Sequence, residues 1–165
     1  MKFKTLLLAF LFVNTNLSAQ LQFFSPEAMN GYTLFSGNQL FLINNCGEVI
    51  NSWNPVFAQN HVKLLPNGNI MYIDGFSNSV VERDWEDNLV NEVAPQEGGL
   101  KLEYEVILLD NGNYLCVGRK SFTQQQLLDI GYNPDLGLPF HVDVVVELDR
   151  NTGELSLIHI CAADE

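Results

Sequence analysis

The stretch Leu64-Leu65-Pro66-Asn67-Gly68-Asn69-Ile70-Met71-Tyr72 decides the fold, because it returns 44 residues later as Leu108-Leu109-Asp110-Asn111-Gly112-Asn113-Tyr114-Leu115-Cys116. Each copy places Asn-Gly between two apolar runs, which is the sequence pattern of a β-hairpin with a type I′ turn and positive φ at both central residues. Repeats of about 40–45 residues are typical of a β-propeller, whose unit has four antiparallel strands. The alternative interpretation is two unrelated hairpins in a β-sandwich.

A second pattern occurs three times, at residues 42–49, 82–89 and 147–154. Each copy reads as a strand, a turn rich in Asp and Asn, and another strand, and the third copy has one extra turn residue. Asp and Asn favour such turns because their side chains bond the backbone two residues further on. Asp84 and Asp149 are therefore expected to be structural. The sequence predicts an all-β fold, a partial β-propeller of about two and a half blades.

The first 19 residues have the features of a signal peptide. Lys2 and Lys4 precede an apolar run at residues 6–13, and Leu17-Ser18-Ala19 supplies the small residues of a cleavage site. The mature chain would begin at Gln20. The apolar run is too short to span a bilayer as a helix. We expect an exported protein, periplasmic or secreted to the cell surface, with no integral membrane segment after cleavage.

The chain is strongly acidic, with 20 Asp and Glu against 8 Lys and Arg and a net charge of −12. Removal of residues 1–19 leaves 6 basic residues and a net charge of −14. Such a surface disfavours nucleic acid and anionic membranes, because binding phosphates needs clustered Lys and Arg. An anionic substrate would need a local basic site.

The cysteines and histidines give no metal or cofactor motif. Cys46, Cys116 and Cys161 include no CxxC pair, and no HExxH motif is present. No metal and no cofactor are predicted. Cys46 and Cys116 could form a disulfide in an oxidising compartment, or each could be a small buried hydrophobic residue.

Residues 121–140 interrupt the strand pattern. The pattern of residues 123–130 predicts two helical turns that end at Gly131, and that of residues 132–140 predicts a loop. Insertions of this kind in propellers tend to lie on a binding face.

The last residues have an unusual sequence. Leu155-Ser156-Leu157-Ile158-His159-Ile160 equals one translation frame of a transposon-end sequence used in sequencing-library adapters, and the following Cys-Ala-Ala-Asp-Glu fits its continuation after loss of one base. The hypothesis is that residues 155–165 derive from an adapter, which would leave residues 20–154 as the native partial propeller. The alternative is a natural apolar strand with an acidic tail.

The chain resembles the opening part of the aryl-sulfate sulfotransferase-like (arylsulfotransferase) family. The resemblance covers most of the mature chain and is carried by residues 31–35, 42–53, 64–69, 84–85, 109–113, 119–120 and 143–154.

The resemblance implies a six-bladed propeller of roughly twice this length or more. It also implies an exported enzyme that transfers a sulfuryl group from a phenolic sulfate ester to a phenol through a covalently modified histidine. Arg, Asn and His side chains would hold the sulfate oxygens. The family's His-His-Asp or His-His-Glu run is replaced here by Glu103, Tyr104 and Glu105. The nucleophilic histidine of the family lies beyond Glu154, so no catalytic residue is assigned.

Three residues are the candidates for substrate binding. Arg119 opens the insertion and could reach a sulfate, His141 closes the insertion and could line a central channel, and His61 precedes the first Asn-Gly turn. Each has a structural alternative, an ion-paired Arg or a hydrogen-bonded His at the end of a strand. The alternative function is a non-catalytic cell-surface or periplasmic propeller that binds a ligand.

Overall fold

The chain forms three antiparallel sheets that pack face to face. The computed structural model describes residues 29–37, 39–54, 62–129, 131 and 141–160. Within each sheet, strands that follow one another in sequence are also neighbours in space. The all-β class predicted from the sequence is confirmed.

The strands divide among the sheets in chain order. Sheet I contains β1 (Tyr32–Ser36), β2 (Leu40–Asn44) and β3 (Val49–Trp53). Sheet II contains β4 (Lys63–Leu64), β5 (Ile70–Asp74), β6 (Ser79–Arg83) and β7 (Leu89–Val93). Sheet III contains β8 (Leu100–Leu108), β9 (Tyr114–Ser121), β10 (His141–Leu148) and β11 (Leu155–Ile160). The helix α1 (Gln124–Asp129) lies between β9 and β10 in sequence.

Sheet II is the central layer, and both of its faces are buried. Alternate residues of β5 and β6 point to opposite faces. One set packs on sheet I and comprises Ile70, Tyr72 and Val81. The other set packs on sheet III and comprises Met71, Ile73 and Val80. This double burial explains why the second half of the repeat, Ile-Met-Tyr-Ile, is apolar at every position.

Both Asn-Gly stretches form hairpins, but the predicted type I′ turn is wrong. Gly68 and Gly112 have a φ of 88°, whereas Asn67 and Asn111 are not among the residues with positive φ. The Gly68 N–H donates to the carbonyl three residues earlier at 2.9 Å. The turn is therefore type I followed by a left-handed glycine. In the first copy Pro66 favours this outcome, because it stands at position i+1 of the type I turn, where its fixed φ near −65° fits.

The turns of the second pattern, at residues 42–49, 82–89 and 147–154, also end with a residue in the left-handed conformation. Gly47, Asp87 and Gly153 occupy the left-handed position, with φ of 78°, 68° and 75°. The Asp84 and Asp149 carboxylates accept hydrogen bonds from backbone N–H groups of their own turns, which confirms their structural role. The extra residue predicted in the third copy is present. The Gly153 N–H donates to the carbonyl four residues earlier, whereas the Gly47 and Asp87 N–H groups donate to carbonyls three residues earlier.

A buried polar network joins sheets II and III. The Glu82 side chain is only 2% exposed and accepts hydrogen bonds from Asn69 at 2.7 Å and Arg150 at 2.5 Å. The Tyr114 hydroxyl lies 3.4 Å from Glu82 and accepts a bond from Arg150 Nε at 3.1 Å. A carboxylate can remain charged in such a position only when partners of this kind replace its water.

Each sheet also holds the outer turn of the next sheet. The Asn51 side chain on β3 donates to the Trp85 carbonyl in sheet II at 2.8 Å. The Asn91 side chain on β7 donates to the Arg150 carbonyl in sheet III at 3.1 Å. The two asparagines are 40 residues apart in sequence, so the contact between sheets repeats along with the strands.

Cys46 and Cys116 are not bonded to each other. Cys46 is exposed in the turn between β2 and β3, whereas Cys116 is buried on β9, and both thiols are free. Burial raises the pKa of the Cys116 thiol to about 12. Cys116 therefore behaves as a small buried hydrophobic residue.

The predicted helix is confirmed in the insertion. At its start, the Thr123 N–H donates to Gln126 Oε1 and the Gln126 N–H donates to Thr123 Oγ1, which forms a capping box. The helix ends at Gly131, which has a φ of 82°. Leu127 is fully buried.

The predicted loop at residues 132–140 and the predicted signal peptide lie outside the described residues. Leu155–Ile160 pairs with β10, and its origin stays a prediction. None of the helices in the described ranges is long and apolar enough to cross a bilayer.

Replacement of Arg150 by Met tests the network between sheets II and III. The substitution leaves the buried Glu82 carboxylate without its cationic partner, so we expect a loss of about 3 kcal/mol in the free energy of unfolding. Urea unfolding followed by tryptophan fluorescence measures it. Lys101→Met is the control, because the Lys101 side chain is 53% exposed, and should change stability by less than about 0.5 kcal/mol.

The double variant Glu82→Leu/Arg150→Met removes both charges and should be more stable than Arg150→Met alone. Equal stability of the two variants would show that the unpaired carboxylate is not the cause of the loss.

The carboxylates of the outer turns predict a pH dependence of stability. Backbone N–H donors of Thr152 and Asn151 lower the pKa of Asp149 below its ordinary value of 3.8. The stabilisation is complete above pH 3.8 and disappears as the pH falls through the folded-state pKa. Asp149→Asn cannot titrate, so its stability difference from the wild type should shrink below pH 3.8. A difference that is constant from pH 7 to pH 2.5 in thermal unfolding would contradict this.

Candidate functional site

Strand β8 contains a β-bulge at residues 103–105. Its pairing with β9 shifts between Leu102 and Val106, so that residues 103–105 bulge out of the ladder. Tyr104 has a φ of 68°, which is uncommon for a residue with a side chain. Bulges and left-handed residues of this kind re-aim side chains and occur often at functional sites.

Arg119 on β9 lies against this bulge. Its Nη2 atom donates to the Tyr104 hydroxyl at 3.0 Å and lies 3.5 Å from Glu103 Oε2. Its Nε atom lies 3.8 Å from Asp143 Oδ1 on β10. Both carboxylate distances exceed the 2.7–2.9 Å of a strong charge-assisted hydrogen bond. The guanidinium is therefore held by one hydrogen bond to Tyr104 and by two looser carboxylate contacts, and the Arg119 side chain is 39% exposed.

Two lysines complete the cluster. Lys63 on β4 of sheet II lies 2.6 Å from Glu105, and Lys101 lies 3.2 Å from Glu103. Half of the six basic residues that follow residue 19 thus contact the bulge. We call this group the bulge cluster; it consists of Lys63, Lys101, Glu103, Tyr104, Glu105, Arg119 and Asp143.

The structure brings together two of the three candidates proposed from the sequence. In the ladder between β9 and β10, Ser121 pairs with His141 and Arg119 pairs with Asp143, so the four side chains share one face of sheet III. His141 Nδ1 lies 2.9 Å from Ser121 Oγ. His141 is therefore a hydrogen-bonded histidine at the end of a strand, which was its structural alternative. It lies two residues along β10 from Asp143, the pairing partner of Arg119. His61 lies outside the described residues.

The cluster presents an anion-binding group and an aromatic ring at the same place. The side chain of Arg119 and the ring of Tyr104, which is 42% exposed, are both open to solvent. A guanidinium binds sulfate or carboxylate oxygens in pairs, and an exposed phenol ring packs against another ring. The arrangement thus combines a guanidinium that can donate to anionic oxygens, an exposed ring, and the carboxylates of Glu103 and Asp143 beside them.

No metal centre was found in the parts of the chain that the structure describes. Nowhere in residues 29–37, 39–54, 62–129, 131 and 141–160 do three His, Cys, Asp or Glu side chains approach in a way that could hold a metal ion.

Sequence reasoning missed Tyr104, Lys63 and Asp143 as members of the site. The bulge does not change the alternation of apolar and polar residues in the sequence. Leu102 and Val106 both face the core, although the pairing with β9 shifts between them. Two extra residues preserve the alternation of faces. No local sequence signal marks the site, because Lys63, Lys101 and Arg119 are 38 and 18 residues apart and come together only in the fold.

The backbone of Tyr104 gives a direct test of the bulge. Tyr104→Gly and Tyr104→Ala both remove the ring, but only glycine adopts positive φ without strain. We expect the glycine variant to be the more stable by about 1 kcal/mol, the reverse of the usual order in a strand. Urea unfolding measures the difference. The matched pair Glu103→Gly and Glu103→Ala should show the usual order, and the same order at Tyr104 would contradict the bulge geometry.

The chain was compared with known families, curated proteins and solved structures. No protein-family model matches the sequence, and no curated protein matches it. Among solved structures it is similar to the crystal structure of a protein of unknown function from Bacteroides caccae, with 16% sequence identity and a TM-score of 0.45. The similarity covers 84% of this chain and 44% of that chain, so this chain spans less than half the length of that protein.

Proposed function

We propose that this chain is part of an exported, arylsulfotransferase-like β-propeller, and that its bulge cluster binds the sulfate group and ring of a phenolic sulfate ester. The observation that carries the proposal is the position of Arg119 beside the exposed ring of Tyr104, in a cluster where three basic side chains balance three carboxylates within a strongly acidic chain.

The stacking of the sheets supports the propeller. Each sheet is a meander, the sheets follow one another in chain order, and each is covered by the next. The same turn closes the hairpin at Asp84 and at Asn44, and the same asparagine contact joins successive sheets. These are the features expected of blades in a propeller.

The chemistry of the ligand follows from the two exposed groups. An aryl sulfate ester carries one negative charge spread over three oxygens and a flat ring. The Arg119 guanidinium can donate two parallel hydrogen bonds to such oxygens, while Tyr104 supplies a ring for the aromatic part. A free dianion would be repelled more strongly by Glu103 and Asp143.

The insertion lies beside the site, which supports a binding role. It leaves β9 directly after Ser121, two residues from Arg119, and returns at His141. The Leu127 side chain of its helix is fully buried. We infer that this insertion, which begins two residues from Arg119 in sequence, contributes to ligand selection.

The proposed ligand binding could serve either a sulfuryl transferase or a binding module without turnover. A histidine near the site favours the transferase. His141 shares the face of sheet III with Arg119, and an imidazole is the group that would accept a sulfuryl group in a covalent mechanism. The second form is a binding module without turnover, which the replacement of the histidine pair by Glu103 and Tyr104 favours. Both forms require the same ligand-binding step.

Titration with phenyl sulfate, followed by calorimetry, tests the binding step. Arg119→Gln removes the charge and should weaken binding about 10- to 100-fold, as expected for loss of a charged hydrogen bond. Arg83→Gln is the control, because Arg83 bonds Tyr72 and Asp87 on the other side of sheet II, and it should bind normally. Equal affinity of the wild type and Arg119→Gln would overturn the assignment of the site.

Transfer of the sulfuryl group from phenyl sulfate to a second phenol separates the two forms. Transfer that is lost in both Arg119→Gln and His141→Ala would support the enzyme and assign His141 to it. Binding without transfer would show that His141 does not act as the sulfuryl acceptor in this chain.

A further inference from the structure

The turns of the two Asn-Gly repeats contain neighbouring residues that can react with each other. Asn67 precedes Gly68 in the first copy, and Asn111 precedes Gly112 in the second. The backbone nitrogen of a glycine can attack the side-chain amide of the preceding asparagine, because no Cβ obstructs its approach. The N–Cγ bond forms and the Cγ–Nδ2 bond breaks, so ammonia leaves with the glycine N–H proton and a cyclic succinimide remains. Water then opens the ring to aspartate or isoaspartate.

The backbones of the two turns are closely matched. The Gly68 and Gly112 N–H groups each donate at 2.9 Å to the carbonyl three residues earlier, and both glycines have a φ of 88°. The side-chain oxygens of Asn67 and Asn111 each accept a backbone N–H from two residues further on, at 3.1 Å and 3.0 Å. This donor would stabilise the negative charge that develops on the amide oxygen during attack. The backbone geometry therefore favours neither copy.

The side-chain nitrogens of the two asparagines differ in their partners. Asn111 Nδ2 donates to Glu147 Oε1 at 2.9 Å, and the same oxygen accepts from Asn113 at 2.7 Å. The Asn113 and Asn111 amides lower the pKa of Glu147 below its ordinary value of 4.5, so this side chain is a carboxylate at neutral pH. Asn67 Nδ2 has no hydrogen-bond acceptor within the residues that the structure describes.

The buried network accounts for this difference. Glu82 has the position in sheet II that Glu147 has in sheet III. One oxygen of Glu82 accepts from Asn69, and the other accepts from Arg150 in sheet III. Glu82 is thus held between the two sheets and does not bond Asn67.

We propose that Asn67 is a site of spontaneous deamidation, and that Asn111 in the matching turn is protected by Glu147. Attack at Asn111 requires its side chain to rotate until Cγ approaches the Gly112 nitrogen, and this rotation breaks the hydrogen bond to Glu147. The Glu147 carboxylate also repels the negative charge that develops on the amide oxygen. Neither barrier is present at Asn67 among the described residues.

One contact acts in the opposite direction. Trp85 Cε3 lies 3.7 Å from the position that a Cβ would take on Gly68, whereas no described residue beyond the chain neighbours comes within 4 Å of that position on Gly112. The Trp85 side of the first turn is therefore less open to water. Asn67 is nevertheless exposed, and Trp85 is itself 40% exposed. We expect the hydrogen bond to Glu147 to outweigh this partial cover.

Reaction at Asn67 would reach the buried network. Isoaspartate carries the main chain through the former side chain, so it lengthens the turn. Gly68 would shift against the Trp85 ring, and Asn69, which donates to Glu82 at 2.7 Å, would be displaced. The deamidated fraction should therefore show altered tryptophan fluorescence and unfold at a lower urea concentration.

Peptide mapping by mass spectrometry, after incubation of the purified protein at mildly alkaline pH, tests the proposal. We expect Asn67 to deamidate about 3- to 10-fold faster than Asn111, the range that one hydrogen bond supplies. In urea the two rates should converge, because both residues then precede a glycine in an unfolded chain. A third pair, Asn30-Gly31, lies on a separate tryptic peptide and does not enter the comparison.

Replacement of Glu147 tests the cause. Glu147→Ala should raise the rate at Asn111 to that at Asn67 and leave the rate at Asn67 unchanged. Glu48→Ala is the matched control, because Glu48 accepts from the Asn44 amide at 2.7 Å in a turn of sheet I, and it should change neither rate. Circular dichroism checks that each variant is folded. Glu147→Gln, which keeps the shape and removes the charge, gives the same measurement if Glu147→Ala does not fold.

Equal rates at the two asparagines of the folded wild type, or a faster reaction at Asn111, would overturn the proposal. An unchanged rate at Asn111 in a folded Glu147 variant would overturn the protective role of the carboxylate. The reaction needs only water, so its outcome is independent of whether the bulge cluster binds an aromatic sulfate.

Discussion

The fold depends on one constraint, which is that sheet II must be covered on both faces. Its strand β5 has four consecutive buried residues, Ile70 to Ile73, and these cannot all be hidden by a single neighbouring sheet. Two partners are therefore needed, and sheets I and III supply them. The only charged group taken into this layered core within the described residues is Glu82, and its partners come from both sheets II and III. Burial and the polar network thus fix the same arrangement of layers.

Much of this architecture could be predicted from the sequence. The two Asn-Gly copies located hairpins because both are flanked by apolar runs, and the three acidic turns located the outer hairpins. The turn type was wrong in each Asn-Gly copy, because one dipeptide suits both a type I′ turn and a type I turn with a following left-handed glycine. Pro66 suits the second turn in the first copy, but the second copy has Asp110 at this position and forms the same turn. The contacts of Asn51 and Asn91 could have been found by extending the second repeat beyond residue 49.

The candidate site was predicted only in part, for a physical reason. Arg119 and His141 were identified because they flank the insertion, and the register of β9 and β10 places them on one face. Tyr104 was missed as a site residue because a bulge of two extra residues keeps the alternation of buried and exposed positions unchanged. Lys63 was missed because it comes from a different sheet. Its proximity to Glu105 depends on how sheets II and III pack, which the local sequence does not encode.

We propose that Arg119 and Tyr104 bind an aromatic sulfate. A crystal structure of the protein soaked with phenyl sulfate, with the ligand sulfur located by its anomalous scattering, tests this. We expect a sulfur peak within about 4 Å of the Arg119 guanidinium, the distance set by hydrogen bonds of 2.7–2.9 Å to the sulfate oxygens, with the ligand ring against Tyr104. A peak elsewhere on the chain, with the bulge cluster empty, would contradict it.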